Sequence, residues 1–255
     1  MTIDVFQLPV WQDNYIYILH DTKAQKTLCV DPAESETVLS FLTSKGWGLD
    51  YILNTHHHPD HVGGNEALKA ATNCQIIGFQ GDQHRIPALD KAVVQGDVLT
   101  FLTDEIEVIE TFGHTNGHIS YFFRQGHLLF CGDTLFSIGC GRLFEGTPGQ
   151  MWASLQKLRS LPQDTKIYCA HEYTRDNLKF ACALEPDNPL LSQYLVMVEN
   201  KRAQNLPTVP SLLSQECQLN PFLRADDPNL QAAVNMSEAS DEEVFAHIRH
   251  LKDVF

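Results

Sequence analysis

Apolar residues in the first two-thirds of this chain come in short β-branched or aromatic runs, whereas in the last third they recur at helical spacing. The runs at 3–10, 15–20 and 27–30, separated by polar turn residues, predict a strand meander. Residues 35–45 carry Val38, Leu39 and Leu42 at helical intervals and stop at Gly46, which predicts a helix. A strand at 49–53, a helix at 65–71 and a strand at 75–79 follow. The pairs 98–102 with 106–111 and 119–123 with 128–130 read as hairpins. Residues 148–161 form an amphipathic helix with Pro at its start, and 166–170 is the last strand. Beyond it the pattern predicts helices at 173–184, 189–205, 211–218, 227–234 and 240–254. The last opens on a capping box, Ser240 with Glu243, and buries a stripe of Val244, Ile248 and Leu251. The change of pattern sets the expected boundary, a first domain at 1–172 and a helical domain at 173–255.

Chemistry enters where the strands end. Residues 55–64 read T-H-H-H-P-D-H-V-G-G directly after an apolar run. A packed core gains nothing from four histidines and an aspartate in six positions, and imidazole with carboxylate is a donor set for Zn, Fe or Mn. His56 and His58, two apart, project from one side of an extended segment, while the adjacent Asp60 and His61 must point in different directions. Two divergent pairs suit two metals. Pro59 keeps His58 extended, and Gly63 and Gly64 let the backbone pass close to its surroundings or turn sharply. His57 is assigned to orientation or packing. Further strand ends carry His114, Asp133 and His171. One such residue is an ordinary turn or cap; seven together at strand ends point to a site built on loops at one edge of a scaffold.

The remaining composition narrows the partners. The chain has 255 residues, 43% of them hydrophobic, and a formal net charge of −14. That charge excludes a nonspecific nucleic-acid or anionic-membrane partner, and an acidic substrate must find local cations. No apolar run approaches a membrane span, and the N-terminal residues lack the basic and apolar regions of a signal peptide. Seven cysteines without paired spacing fit reduced thiols in a cytoplasmic protein. Cys140 reads as a small packed residue. By spacing alone, Arg249 and Lys252 share an exposed face of the last helix.

In order and context, His56, His58, Asp60 and His61 match the H-x-H-x-D-H signature of the metallo-β-lactamase superfamily, and His114, Asp133 and His171 continue it. The resemblance implies an α+β, four-layer αβ/βα sandwich followed by an all-helical domain. It also implies two divalent ions, Zn or alternatively Fe or Mn. His56, His58 and His114 would hold one, Asp60, His61 and His171 the other, with Asp133 between them. The segments G-C-G-R-L-F-E-G-T at 139–147, H-E-Y-T at 171–174, N-P-F-L-R at 220–224 and the final R-H-L-K-D resemble the glyoxalase II (hydroxyacylglutathione hydrolase) family. That likeness implies hydrolysis of S-D-lactoylglutathione and other 2-hydroxyacylglutathiones by a hydroxide shared between the metals, the second step of methylglyoxal detoxification. Asp60 would orient the water, and Arg142, Phe144, Tyr173, Arg249 and Lys252 would hold glutathione. Position 142 is Arg where some relatives carry Lys, and 144 is Phe where some carry Tyr. An iron-dependent glutathione persulfide dioxygenase or a lactonase of the same superfamily is the alternative. The expected partner is a small glutathione thioester bound by a monomer, with no nucleic acid and no membrane.

Overall fold

A computed structural model describes residues 3–255. They pack as two compact units, one formed by the chain up to residue 110 with 117–132, the other by 111–116 with 133–255. The divisions between them fall after residues 110, 116 and 132.

The first unit holds a six-stranded sheet in the order β1 (Ile3–Val10), β2 (Asn14–Asp21), β3 (Lys26–Val30), β4 (Tyr51–Leu53), β5 (Gln75–Phe79) and β6 (Lys91–Val93). The first three strands run antiparallel, as the meander pattern predicts, and β3 to β6 run parallel. β2 is buried along its whole length. Helices α1 (Glu36–Lys45), α2 (Pro59–Val62) and α3 (Asn65–Thr72) lie between strands, and α1 closes at Gly46, whose φ of 68° is the left-handed cap the sequence places there. Ile16, Ile18, Cys29, Val38, Leu42, Ile52 and Ile76 form one continuous core. Four more strands, β7 (Val98–Leu99), β8 (Ile106–Glu110), β9 (Ile119–Phe123) and β10 (Leu128–Gly132), form an antiparallel ladder.

In the second unit, β11 (Leu135–Phe136) and β12 (Gly139–Cys140) pair as a short ribbon, and β13 (Lys166–Cys169) pairs with β14 (Ser211–Leu212). Around them are α4 (Pro148–Arg159), α5 (Thr174–Leu184), α6 (Pro189–Ala203), α7 (Leu213–Leu219), α8 (Pro228–Ala233) and α9 (Asp241–Val254). Leu178, Ala181, Leu191, Tyr194, Val198 and Leu219 pack together around Ile138. Both capping-box interactions of Ser240 and Glu243 are present at the start of α9.

The structure departs from expectation at several points, three of them within this scaffold of strands and helices. Ser211 and Leu212, expected to be helical, pair with β13 instead, and the helix starts at Leu213. β6 is too short and too polar to register as a strand in sequence, yet it completes the sheet edge beside β5. On α9, Phe245 and Arg249 join Val244 and Ile248 in the buried face, while Leu251 is only half-buried. No helix among the described residues is long and apolar enough to cross a membrane.

Candidate active site

In the first unit the histidine run follows β4 as one extended step and one helical turn. His58 is extended, at φ −61° and ψ 146°, and Pro59 opens the single turn of α2. Successive side chains on a helix diverge by about 100° rather than the alternation of a strand. The expected divergence of Asp60 and His61 is therefore corrected: His61 Nε2 and Asp60 Oδ2 lie 3.6 Å apart. The His56 ring stands 4.0 Å from that of His61, and its Nε2 is 2.9 Å from His58 Nδ1. All four candidate ligands of this segment thus converge in one cluster. Gly63 is required by proximity: a Cβ there would collide with the Ala33 carbonyl and lie 2.8 Å from that of Pro59.

This cluster is braced by residues the sequence reading did not single out. Asp31, in the left-handed region at φ 49°, accepts from the Thr55 backbone N at 2.8 Å and from Thr55 Oγ1 at 2.6 Å. Its Oδ2 also lies 3.0 Å from His61 Nδ1. A carboxylate only accepts, so Nδ1 carries a proton, and Nε2 faces Asp60. Asn14 Nδ2 donates to Asp60 at 3.1 Å, and the buried His118 ring stacks 4.8 Å from His56. Asp31 closes an apolar strand as Asp133 does, which is the signal that would have found it. His57 turns away, to Asp82 at 3.0 Å and Arg85 at 3.2 Å, matching its assignment to orientation.

The second unit carries His114, Asp133 and His171. Asp133, 7% exposed, sets one oxygen 3.5 Å from His114 Nε2 and the other 3.4 Å from His171 Nε2. The Arg142 carbonyl accepts from His114 Nδ1 at 2.8 Å, again fixing the tautomer that leaves Nε2 toward the carboxylate. A Cβ at Gly141 would run into the Asp133 carbonyl, so only glycine lets the 139–147 segment pass here. The Tyr173 ring stacks on His171, 4.8 Å away and nearly parallel.

The donor set fits metal ions. Two atoms each about 2.1 Å from one tetrahedral ion stand about 3.4 Å apart. The separations on Asp133 and between Asp60 and His61 are 3.4 to 3.6 Å. Carboxylate and imidazole accept Zn, Fe and Mn alike. These His and Asp side chains are positioned to hold a metal site.

His114 and Asp133 also line a cavity of about 570 Å³, wholly within the second unit, together with Phe136, Cys140, Asp176, Asn177 and Asp253. All five residues expected to bind substrate line it too: Arg142, Phe144, Tyr173, Arg249 and Lys252. The exposed-face reading of Arg249 is corrected, since the residue is 5% exposed. Its guanidinium donates to the Cys140 carbonyl at 2.9 Å and to Asp253 at 2.9 Å, and it lies over the Phe222 ring. Lys252 donates to the Asp176 carbonyl at 3.1 Å, with its ammonium between the Phe180 and Phe255 rings. Burial, reinforced by Arg249, holds the Lys252 pKa below the ordinary lysine value. Cys140 lines the cavity as a buried thiol pushed up to about 11 by burial, poorly suited to nucleophilic work. Phe144, 63% exposed, stands at the rim against His114.

Two family models cover the chain: metallo-β-lactamase superfamily over residues 11–171 and hydroxyacylglutathione hydrolase C-terminus over residues 172–255. The chain is 51% identical to the hydroxyacylglutathione hydrolase of Rhodospirillum rubrum over 254 residues, 100% of this chain and 99% of that one. It is 48% identical to the hydroxyacylglutathione hydrolase of Methylococcus capsulatus over 253 residues, 99% of each chain. Among solved structures it is similar to ETHE1 from Myxococcus xanthus, with 23% identity and a TM-score of 0.70 over 97% of this chain and 90% of that one. The fold is accordingly α+β, the metallo-β-lactamase fold with mixed sheets and a helical C-terminal region.

Proposed function

The chain belongs to the hydroxyacylglutathione hydrolase family of the metallo-β-lactamase superfamily and is a thioester hydrolase of the glyoxalase II type, and we propose how its residues divide that work. The substrate is S-D-lactoylglutathione or a related 2-hydroxyacylglutathione, released as glutathione and the hydroxy acid. The observation that carries this reading is the cavity in which Arg142, Arg249 and Lys252 accompany the ligands His114 and Asp133. Three cations in one pocket of a chain with net charge −14 suit a tripeptide thiol with two carboxylates.

We assign His56, His58 and His114 to one divalent ion, Asp60, His61 and His171 to a second, and Asp133 to both. The support is the order of the ligands and the way the two oxygens of Asp133 face different histidines. Zinc is the proposed metal. Two ions held there would supply Lewis acidity and a water whose pKa is lowered toward about 7. Within the chain, Asp60, held by Asn14, orients that water toward the thioester carbonyl. Arg249 and Lys252 meet the carboxylates of the tripeptide, and Tyr173, stacked on His171, lines the same cavity. The leaving thiol has an ordinary pKa of about 8.5, so it departs as thiolate without a strong general acid. The catalytic module is placed at 1–172 and the substrate-binding helical module at 173–255, a division supported by the meeting of the two family models at 171 and 172. The seven cysteines have no paired spacing along the chain, which supports a cytoplasmic setting.

Incubation with S-D-lactoylglutathione is expected to release one thiol per acid formed, with two metal ions per chain by elemental analysis. Oxygen uptake with glutathione persulfide and no thiol release from the thioester would overturn the reading. A second expectation concerns pH. A lysine with a lowered pKa loses its charge earlier as pH rises, so KM for the glutathione thioester should climb through the alkaline range while the low-pH plateau stays flat. Lys252→Arg, charged throughout, should flatten that limb. A limb that persists in Lys252→Arg would assign it to another group.

A further inference from the structure

Between β11 and β12, the backbone that brings Phe136 and Cys140 to the cavity passes through Ile138 at φ 56°. A branched Cβ disfavours that left-handed conformation, so something outside the ribbon must hold it. Two side chains one helical turn apart do so, Glu216 on α7 and Asn220 at its C-terminal end. Glu216 Oε2 accepts from the Ile138 backbone N at 2.7 Å and from Asn220 Nδ2 at 3.0 Å. Asn220 Nδ2 also reaches the carbonyls of Phe136, at 3.2 Å, and Gly139, at 3.0 Å.

Both side chains are fully buried. Burial raises the Glu216 pKa, the cost of placing a carboxyl where an apolar side chain of the same shape would pack more cheaply. The far end of the ribbon shows what that arrangement secures: the Cys140 carbonyl receives the Arg249 guanidinium at 2.9 Å. Turn chemistry within 136–140 does not supply this hold: Glu216 and Asn220 lie some eighty positions downstream, and Asn177 Nδ2 adds a bond to the Ser137 carbonyl at 3.1 Å.

We propose that Glu216 and Asn220 are positioning residues for substrate recognition: by clamping residues 136–140 they hold the Cys140 carbonyl where it orients Arg249 toward a carboxylate of the glutathione moiety. The inference rests on the reading that Arg249 binds that carboxylate and extends it to two residues that do not line the cavity.

The test measures KM and kcat for S-D-lactoylglutathione and for a lactoyl thioester of a small uncharged thiol, in Glu216→Leu, Glu216→Gln, Asn220→Ala, Arg249→Ala and the Glu216→Leu/Arg249→Ala double variant. Loss of the clamp should raise KM for the glutathione thioester about tenfold, with kcat within about threefold and the uncharged thioester unaffected. Glu216→Gln keeps an acceptor for Ile138 N and should stay near wild type. The double variant should be no worse than Arg249→Ala alone, because both changes remove one interaction. Wild-type KM in Asn220→Ala and Glu216→Leu beside a raised KM in Arg249→Ala overturns the positioning role and leaves the pocket reading standing. Equal rises on both thioesters overturn it as general disorder. An unchanged KM in Arg249→Ala removes the pocket reading, and the clamp's role falls with it. Should Glu216→Leu fail to fold, Asn220→Ala, which removes the donor to Phe136 and Gly139, carries the same comparison.

Discussion

Replacing Asp133 with alanine is expected to remove metal and hydrolysis together, lowering thiol release by about a thousandfold or more. Lewis-acid stabilisation is worth several kcal/mol, and each 1.4 kcal/mol is about a factor of ten in rate. Asp133 is singled out because its two oxygens face different histidines, at 3.5 and 3.4 Å, so one substitution is expected to weaken both ions. Asp133→Asn retains one acceptor oxygen in the same shape and should keep more metal than the alanine variant while still losing most activity. Elemental analysis alongside thiol release separates these outcomes. A fully active, metal-poor Asp133→Ala protein would falsify the bridging assignment.

The second large effect belongs to the cavity. Arg249→Ala with Lys252→Ala should raise KM for a glutathione thioester about a hundredfold while kcat changes by no more than about threefold. Hydrogen bonds to charged groups contribute about 1.5–3 kcal/mol each, and the remaining Arg142 keeps the loss below the sum of the two. The split between KM and kcat follows from the proposed place of these cations: groups that hold the tripeptide away from the reacting carbonyl would bind it alike in ground and transition states. Arg249 also supports the Cys140 carbonyl, so thermal denaturation must accompany the kinetics. Unchanged KM in a folded double variant would remove both residues from the substrate site.

The cluster at 56–61 could be singled out in the sequence because its chemistry is local. Four histidines and an aspartate within six residues have no packing explanation, and Pro59 and the flanking glycines mark the turn. The convergence of Asp60 and His61 was not readable, since it depends on the single helical turn of α2, too short to leave a periodic signal. Asp31 escaped for a similar reason: it is one acidic residue at one strand end, and its role appears only when Thr55 and His61 are brought to it. The cavity was the least readable feature. Arg142, Tyr173 and Lys252 are far apart in the chain, and spacing on α9 alone put Arg249 and Lys252 in solvent. Family likeness, not periodicity, connected them, because the periodic signal of a helix cannot distinguish a buried guanidinium held by a carbonyl from a solvated one. The strand meander and the capping box of α9 needed no such help: alternation, β-branching and a Ser to Glu spacing of three are physical causes written locally.

Gly141 bears on how this pocket can diversify. The segment 139–147 supplies a cation and an aromatic ring to the cavity, so variation there is an obvious route to new thioesters. Any side chain at 141 meets the Asp133 carbonyl, behind which stands His114. Natural drift and laboratory libraries are therefore both confined to its neighbours: Arg142 and Phe144, whose side chains are solvent-exposed, can be exchanged without a backbone clash, while a side chain at 141 would displace the Asp133 backbone and crowd His114.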